Sequence, residues 1–301
     1  MTIWRYFADP LVPAAGRYFN HRGYCSRENR FMDTSDHDTP DLAEAYDLTS
    51  DSQLEKGSVL ISRMGIGAGD RVLDVGCGTG RLALRVSGLV GPSGCVVGVD
   101  PSEPRIALAQ SKLASCMHSN VRFVAGRAED LSFLPGLAFD QVYFSSVFHW
   151  IGDKKAALRE AFRVLAPGGQ IGITTADAGD LRNVPAVMDR LFLQPPYAGR
   201  VDASLAARRP VSLKELEVML AEAGFGSIEV ALHELNRVRS SPEAALEQAE
   251  ADSAGTLLAH VPVSLRARAR QDILRELEVF RTPAGIVLST SSLVAVAIKP
   301  R

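Results

Sequence analysis

The stretch Arg71-Val-Leu-Asp-Val-Gly-Cys-Gly-Thr-Gly80 decides the fold of this 301-residue chain. Its first five residues are mostly apolar and predict a β-strand. The glycines that follow predict a tight turn, because glycine adopts backbone conformations that other residues avoid. A helical pattern begins directly after Gly80. A strand, a glycine-rich turn and a helix in this order aim backbone amides at a ligand, which is typical of sites for nucleotide-like cofactors.

Short β-rich runs alternate with helical stretches around this segment, from about residue 58 to residue 176. The predicted strands are 71–75, 95–99, 121–125, 139–145 and 170–174. The predicted helices between them are 80–89, 103–115 and 154–165. Alternation of this kind predicts an α/β fold, in which helices cover both faces of a parallel sheet.

The rest of the chain is predicted to complete the sheet and to cover the edge of the sheet at which the glycine-rich turn lies. The predicted boundaries are 1–56 for an N-terminal cap or lid segment, 57–176 for the cofactor-binding core, 177–211 for a cap insertion and 212–301 for the end of the core sheet. The last segment carries a predicted helix at 212–223, which Ser212 and Glu215 begin as a capping box. Strands at 227–235 and 292–298 enclose a helical insertion at about 240–285.

Composition and charge exclude several classes of function. The chain is 46% hydrophobic and 23% charged, which is ordinary for a globular protein. Every apolar run is interrupted before about 18 residues, so no integral membrane contact is expected. A net charge of −2 gives no electrostatic reason to expect nucleic acid as a partner. The start of the chain lacks the pattern of a signal peptide, and the four cysteines lack metal or disulfide spacing. These features predict a cytoplasmic protein with free thiols and no metal.

Charge near the glycine turn narrows the choice of cofactor. A dinucleotide site is expected to read GxGxxG, but this chain has GxGxG and places Arg81 where the last glycine belongs. Asp74 stands two residues before the first glycine, where a carboxylate would repel a pyrophosphate. The same carboxylate suits a ligand with an ammonium group. S-adenosylmethionine is such a ligand, because it is zwitterionic at its amino-acid end and has no phosphate.

A second acidic residue ends the second predicted strand. Asp100 follows Gly80 by 20 residues, the spacing at which an acid accepts hydrogen bonds from both ribose hydroxyls. Nicotinamide and adenosylmethionine sites share this feature, so it does not separate them. The alternative is that Asp100 caps the helix after Pro101, and the sequence leaves both interpretations open.

Five ordered segments resemble the class I S-adenosylmethionine-dependent methyltransferases, in the subgroup that includes ubiquinone/menaquinone C-methyltransferases and arsenite methyltransferases. The segments are residues 72–80, 96–102, 126–133, 139–150 and 163–169. The resemblance implies a Rossmann-like, seven-stranded, mostly parallel sheet with helices on both faces and an added helical cap. Arsenite chemistry is not expected, because the stretch 145–148 contains no cysteine and no cysteine follows Cys116.

The resemblance also implies which residues bind S-adenosylmethionine and its product S-adenosylhomocysteine. The implied contacts are Asp74, Gly76, Cys77, Gly78, Thr79, Gly80, Asp100, Pro101, Ser102, Ala128, Glu129, Asp130, Ser145 and Trp150. Asp74 and the glycine turn would hold the methionine end, and Asp100 the ribose. The backbone of residues 128–129 would meet the adenine. Arg127 departs from the family, because many relatives have there an acid that contacts the adenine amino group, and arginine cannot accept that hydrogen bond. Glu129, Asp130 or backbone groups would have to replace it.

Two residues are candidates for a part in the transfer itself. His149 follows the fourth strand and is either a general base or a residue that lines the substrate site. Tyr46 either caps the pocket near the methyl group or only packs there. Trp150 is expected to pack on the cofactor or the substrate.

The predicted function is transfer of a methyl group to a small apolar or amphipathic molecule. A protein that binds S-adenosylmethionine without catalysis, or an NAD-dependent oxidoreductase, are the alternatives. The predicted partner is the small-molecule acceptor, and the chain is expected to be a monomer or homodimer. Whether oxygen, nitrogen, carbon or sulfur accepts the methyl group stays open.

Overall fold

The computed structural model describes residues 38–116, 119–201, 209–252 and 257–301. Residues 1–37 of the predicted N-terminal cap, including Cys25, lie outside the described residues, as does part of each predicted cap insertion. Two helices precede the sheet: α1 (Pro40–Thr49) and α2 (Asp51–Met64). Within the described ranges, no helix has the length and apolar character needed to cross a bilayer.

The predicted seven-stranded, mostly parallel sheet is present. Its strands are β1 (Arg71–Val75), β2 (Cys95–Asp100), β3 (Val121–Ala125), β4 (Phe139–Ser145), β5 (Leu165–Ala176), β6 (Gly226–Arg239) and β8 (Gly285–Ile298). They lie in the order β3-β2-β1-β4-β5-β8-β6, and the two-residue strand β7 (Arg281–Thr282) pairs with β8. Strands β1 to β5 pair in parallel, whereas β8 runs antiparallel to both β5 and β6.

Helices cover both faces of the sheet, as predicted. On one face, apolar side chains of α2, α3 (Arg81–Val90) and α4 (Glu103–Ala114) pack against the sheet. On the other face, α5 (Lys154–Val164) and α7 (Leu213–Glu222) do so. The expected capping box starts α7, because the Ser212 side chain accepts from the Glu215 amide and the Glu215 carboxylate accepts from the Ser212 amide.

Three further helices form a separate apolar cluster outside the sheet. They are α6 (Val184–Phe192), α8 (Pro242–Asp252) and α9 (Val263–Leu277), and their buried side chains contact one another. Tyr197 is fully buried in a neighbouring cluster against α9. The helical insertion predicted at 240–285 is therefore helical over most of its length, but it ends in β7 and the start of β8.

The strands at the antiparallel end are longer than predicted. β6 and β8 have 14 residues each, and their pairing runs from Gly226 opposite Ile298 to Arg239 opposite Ile286. The outer parts of β6 carry polar side chains, so hydrophobic patterning did not reveal them. Backbone pairing extends this ribbon beyond the apolar core.

Candidate active site

The carboxyl ends of parallel strands β1, β2 and β4 bring the predicted site residues to one edge of the sheet. Asp74 lies opposite Gly98 of β2 and opposite Tyr143 of β4. Asp100 and Ser145 are the last residues of β2 and β4. Residues that are far apart in the sequence thus surround the turn that follows β1.

The glycine turn has the conformation and the close contacts that require glycine. Gly76, Gly78 and Gly80 have φ angles of +77°, +53° and +78°, a region that favours glycine. A Cβ atom on Gly76 would lie 2.3 Å from Val147, and one on Gly80 would lie 2.5 Å from the Phe123 ring. The backbone of the turn therefore lies tightly against β3 and against Val147, just after β4, and leaves its other side for a ligand.

Asp100 holds the turn and the next helix in place. One carboxylate oxygen accepts from the Gly78 amide at 2.9 Å and the other from the Ser102 amide at 2.9 Å. Burial raises the pKa of Asp100. The helix α4 is capped by Ser102, whose hydroxyl accepts from the Arg105 amide, so Asp100 is not its side-chain cap. Each carboxylate oxygen can accept a second hydrogen bond, which leaves capacity for ribose hydroxyls.

Asp74 is a buried acid with a raised pKa. The Tyr143 hydroxyl donates to its Oδ2 at 2.7 Å, and both side chains are buried. Burial raises the pKa of Asp74 to about 7; the Tyr143 hydrogen bond opposes that rise, and the neighbouring Asp100 adds to it. Near neutral pH this acid exchanges a proton easily, and a nearby cation would stabilise its ionised form.

A cleft opens between the glycine turn and helices α1 and α2. Six of the predicted residues line it: Tyr46, Asp74, Gly76, Cys77, Thr79 and Ser145. The other lining residues are not predicted by the sequence: Ser50, Gln53, Leu54, Arg81 and Leu82. The buried Cys77 thiol has a pKa raised well above its usual value by burial, so it is a packing residue rather than a nucleophile.

Ionic contacts hold helix α1 over the cleft. Asp47 accepts from the Thr79 hydroxyl and pairs with Lys112 at 2.6 Å. The Arg105 guanidinium lies 4.3 Å from the centre of the Tyr46 ring and pairs with Asp38 at 2.6 Å. These partners were not predicted, because the contacts join residues that lie from 32 to 67 positions apart in the sequence. The Tyr46–Asp47 pair was the only local signal.

The predicted adenine-side loop lies beside Asp100 but does not line the cleft. The Gly126 amide donates to the Asp100 carbonyl at 3.0 Å. Ala128 is buried in the core, and the Asp130 carboxylate accepts from the Ser132 amide at 3.1 Å. The Glu129 carboxylate lies 3.9 Å from the Arg127 guanidinium. The adenine contacts of this loop, and those of Pro101, stay predictions.

His149 is buried, and its hydrogen bonds indicate its tautomer. Its Nδ1 accepts from the Ala176 amide at 3.3 Å and lies 3.4 Å from the Thr175 hydroxyl. An Nδ1 that accepts a hydrogen bond assigns the proton of the neutral ring to Nε2. The neighbouring Trp150 is 46% exposed, and the two ring centres are 5.2 Å apart. Neither side chain lines the cleft, so both stand further along the same sheet edge.

The charges of the cleft fit the amino-acid end of S-adenosylmethionine. Asp74 offers a carboxylate for an ammonium, and Arg81 offers a guanidinium for a carboxylate. The glycine turn provides a backbone surface that any Cβ at Gly76 would disturb. A pyrophosphate would face the Asp74 carboxylate, so the arrangement does not suit a dinucleotide.

Comparison with known proteins supports S-adenosylmethionine as the cofactor. A family model described as a methyltransferase domain matches residues 72–169. The demethylmenaquinone methyltransferase of Lactococcus lactis is 32% identical over 183 residues, which is 58% of this chain and 72% of that protein. The ubiquinone/menaquinone biosynthesis C-methyltransferase of Pseudomonas fluorescens is 38% identical over 207 residues, which is 62% of this chain and 79% of that protein.

Solved structures share the fold. The YcgJ protein of Bacillus subtilis aligns with a TM-score of 0.60 at 22% identity, over 82% of this chain and 99% of that one. Phosphoethanolamine N-methyltransferase 2 of Haemonchus contortus, in complex with S-adenosylmethionine, aligns with a TM-score of 0.60 at 21% identity, over 92% of this chain and 62% of that one. The chain belongs to the class I S-adenosylmethionine-dependent methyltransferases of the ubiquinone/menaquinone C-methyltransferase type.

Proposed function

We propose that this methyltransferase acts on a small apolar or amphipathic molecule, and that a ring carbon of a quinone-like compound is the first acceptor to test. The relatives from Lactococcus and Pseudomonas are named for demethylmenaquinone and for ubiquinone/menaquinone C-methylation. The observation that carries the proposal lies in this chain: the sheet edge beyond the cleft is built from uncharged side chains.

The cofactor half of the site is charged. Asp74 would hold the ammonium of S-adenosylmethionine, Arg81 its carboxylate and Asp100 its ribose hydroxyls. Arg81 is anchored by hydrogen bonds to the Asp47 carbonyl and the Ser50 hydroxyl, and a guanidinium has five N–H donors. When bound, the cofactor supplies a methyl group on a sulfonium: a nucleophile would attack the methyl carbon in line, the C–S bond would break and the sulfur would leave as the thioether.

The acceptor half begins where β4 and β5 end. Residues 145–150 and 174–176 carry no formal charge when the histidine is neutral. The half-exposed Trp150 offers an apolar surface there. Arg209 lies beside this surface, since its amide donates to the His149 carbonyl at 2.7 Å. An apolar ring beside these neutral groups fits this arrangement.

His149 is proposed to orient the acceptor rather than to remove a proton from it. With Nδ1 occupied by the Ala176 amide, the neutral ring presents an N–H at Nε2. A general base needs a lone pair at the atom that faces the acceptor proton. The imidazole would therefore orient the acceptor by holding the end of β5 in place through the Ala176 amide, and not by taking a proton.

We also propose a cytoplasmic location and a small-molecule partner. Cys77, Cys95 and Cys116 are free thiols, which is usual in reducing compartments. The near-neutral net charge of −2 gives no electrostatic support for nucleic acid as the acceptor.

The test is transfer of a radiolabelled methyl group from S-adenosylmethionine to a prenylated naphthoquinol that has one unsubstituted ring carbon. The matched control is the same quinol with that carbon already methylated. We expect label in the ring of the first compound and none in the second. Equal labelling of both, as a methyl ether on oxygen, would exclude carbon as the acceptor. Labelling of neither, with labelling of a charged amine in the same assay, would contradict an apolar acceptor.

A further inference from the structure

Tyr143 connects the cofactor cleft to the interior of the sheet. It lies in the middle of β4, is fully buried and stands opposite Asp74 in the parallel pairing of β1 and β4. Its hydroxyl donates to Asp74 Oδ2 at 2.7 Å. The contact occupies one oxygen of a carboxylate that lines the cleft. Tyr143 does not line the cleft, and its hydroxyl acts on the cleft through its hydrogen bond to Asp74.

The ionisable groups around Asp74 come from several elements. Asp100 at the end of β2 adds negative charge, and the buried Cys77 lies in the glycine turn. From the covering helices, Tyr46 of α1 and Arg81 of α3 line the same cleft. Arg81 is the one cation among the cleft's described lining residues, and it is already paired with Asp51 at 2.6 Å. Within this setting, a buried carboxylate depends on hydrogen bonds to remain ionised.

We propose that Tyr143 is a positioning residue for the cofactor: its hydroxyl keeps the Asp74 carboxylate ionised, so that Asp74 can pair with the ammonium of S-adenosylmethionine. Binding of the cofactor then releases a proton near neutral pH, because the ammonium pairs only with the ionised acid. This inference concerns the cofactor half alone and does not depend on which acceptor is used.

The sign of the pH effect follows from linkage. Below the pKa of Asp74, which is about 7, the free protein holds a proton that must leave on binding. Affinity therefore weakens as the pH falls, by up to about tenfold per pH unit. Loss of the Tyr143 hydroxyl removes a group that lowers the pKa of Asp74. The midpoint of the affinity profile should move to higher pH.

The test is calorimetric titration of the full chain with S-adenosylhomocysteine between pH 5.5 and 8.5, for the wild type and for Tyr143→Phe. We expect the midpoint of the variant to lie about one pH unit higher, so that it binds about tenfold more weakly at pH 6 and within about twofold of the wild type at pH 8.5. Titrations at pH 7 in buffers of different ionisation enthalpy measure the protons released on binding. We expect about one half of a proton for the wild type and about nine tenths for Tyr143→Phe.

A matched control is available in the cap. Tyr197→Phe removes another buried hydroxyl that donates to a carboxylate, Asp272 Oδ2, at 2.6 Å. It should leave the pH profile and the proton release unchanged, which separates the proposal from a general loss of stability. Asp74→Asn should bind weakly at every pH and release no proton. An equal loss of affinity by Tyr143→Phe across the pH range, an unmoved midpoint, or no binding by the wild type would overturn the proposal.

Discussion

The two halves of one sheet edge differ in charge. At the ends of β1 and β2, two buried carboxylates stand beside the glycine turn, and both have raised pKa values. At the ends of β4 and β5, the side chains are hydroxyls, apolar groups and an imidazole that accepts a hydrogen bond from a backbone amide. The backbone architecture is the same in both halves, since all four strands are parallel and end at this edge.

This difference indicates that the two halves of the edge suit different ligands. Buried charge is costly unless a partner offsets it, so Asp74 and Asp100 are expected where a charged or multiply hydroxylated ligand will lie. The neutral half has no such cost and can accept an apolar ring. Methyl transfer needs mainly position and exclusion of water, because the cofactor carries the reactive group.

The largest effect is expected from Asp100→Ala, which removes the central charge of the first half. The Gly78 and Ser102 amides would lose their acceptor, and so would the ribose hydroxyls that we propose Asp100 binds. We expect the affinity for S-adenosylhomocysteine to fall on the order of a thousandfold, about 4 kcal/mol. Calorimetry measures this.

The control for Asp100 is Asp140→Ala. Asp140 lies at the opposite end of β4, where it pairs with Arg71 at 2.6 Å. It should leave the affinity within about twofold of the wild type. Full affinity in the Asp100→Ala variant would show that Asp100 does not bind the ribose.

The next effect concerns Gly76, where the two halves touch. Gly76→Ala would place a methyl group against Val147 in addition to the strain of its positive φ angle. Gly65 has a similar φ of +65° with no neighbour within 4 Å of an added Cβ. Thermal unfolding should therefore show that Gly76→Ala costs about 2 to 3 kcal/mol more than Gly65→Ala. Equal costs would mean that the halves are not tightly packed at this point.

The smallest effect is expected in the neutral half, from His149→Asn. The asparagine Oδ1 can accept the hydrogen bond that the Ala176 amide donates to His149, so the local fold is kept. We expect methyl transfer to the identified acceptor to stay within about threefold and cofactor affinity to be unchanged. A general base would instead be revealed by a loss of about 10² to 10⁴ in rate, together with loss of its pH dependence.

Sequence predicted the first half far better than the second. Asp74, Gly76 and Thr79 follow one another along a single strand and turn, so their spacing already contains their geometry. Asp100 was found because a parallel β-α-β unit returns the chain to the same edge after a fixed length.

The site residues that could not be predicted from the sequence make contacts between elements that are distant in the chain. Tyr143 meets Asp74 across 69 residues, and Lys112 meets Asp47 across 65 residues. Such pairs require the order of the strands and the path of α1, which local patterns do not provide. The helix α1 and the long β6–β8 ribbon escaped full prediction for a related reason: their polar residues pair with partners chosen by tertiary structure.

The central claim is that Asp74 recognises the charged amino-acid end of the cofactor, and one comparison of ligands tests it directly. S-adenosylhomocysteine and methylthioadenosine share the adenosine, but only the first carries the ammonium and carboxylate. We predict that Asp74→Asn at pH 8 lowers the affinity for S-adenosylhomocysteine by about fiftyfold and the affinity for methylthioadenosine by less than about threefold. Equal weakening of both ligands would contradict the account, because Asp74 would then serve the fold of the turn and not the recognition of charge.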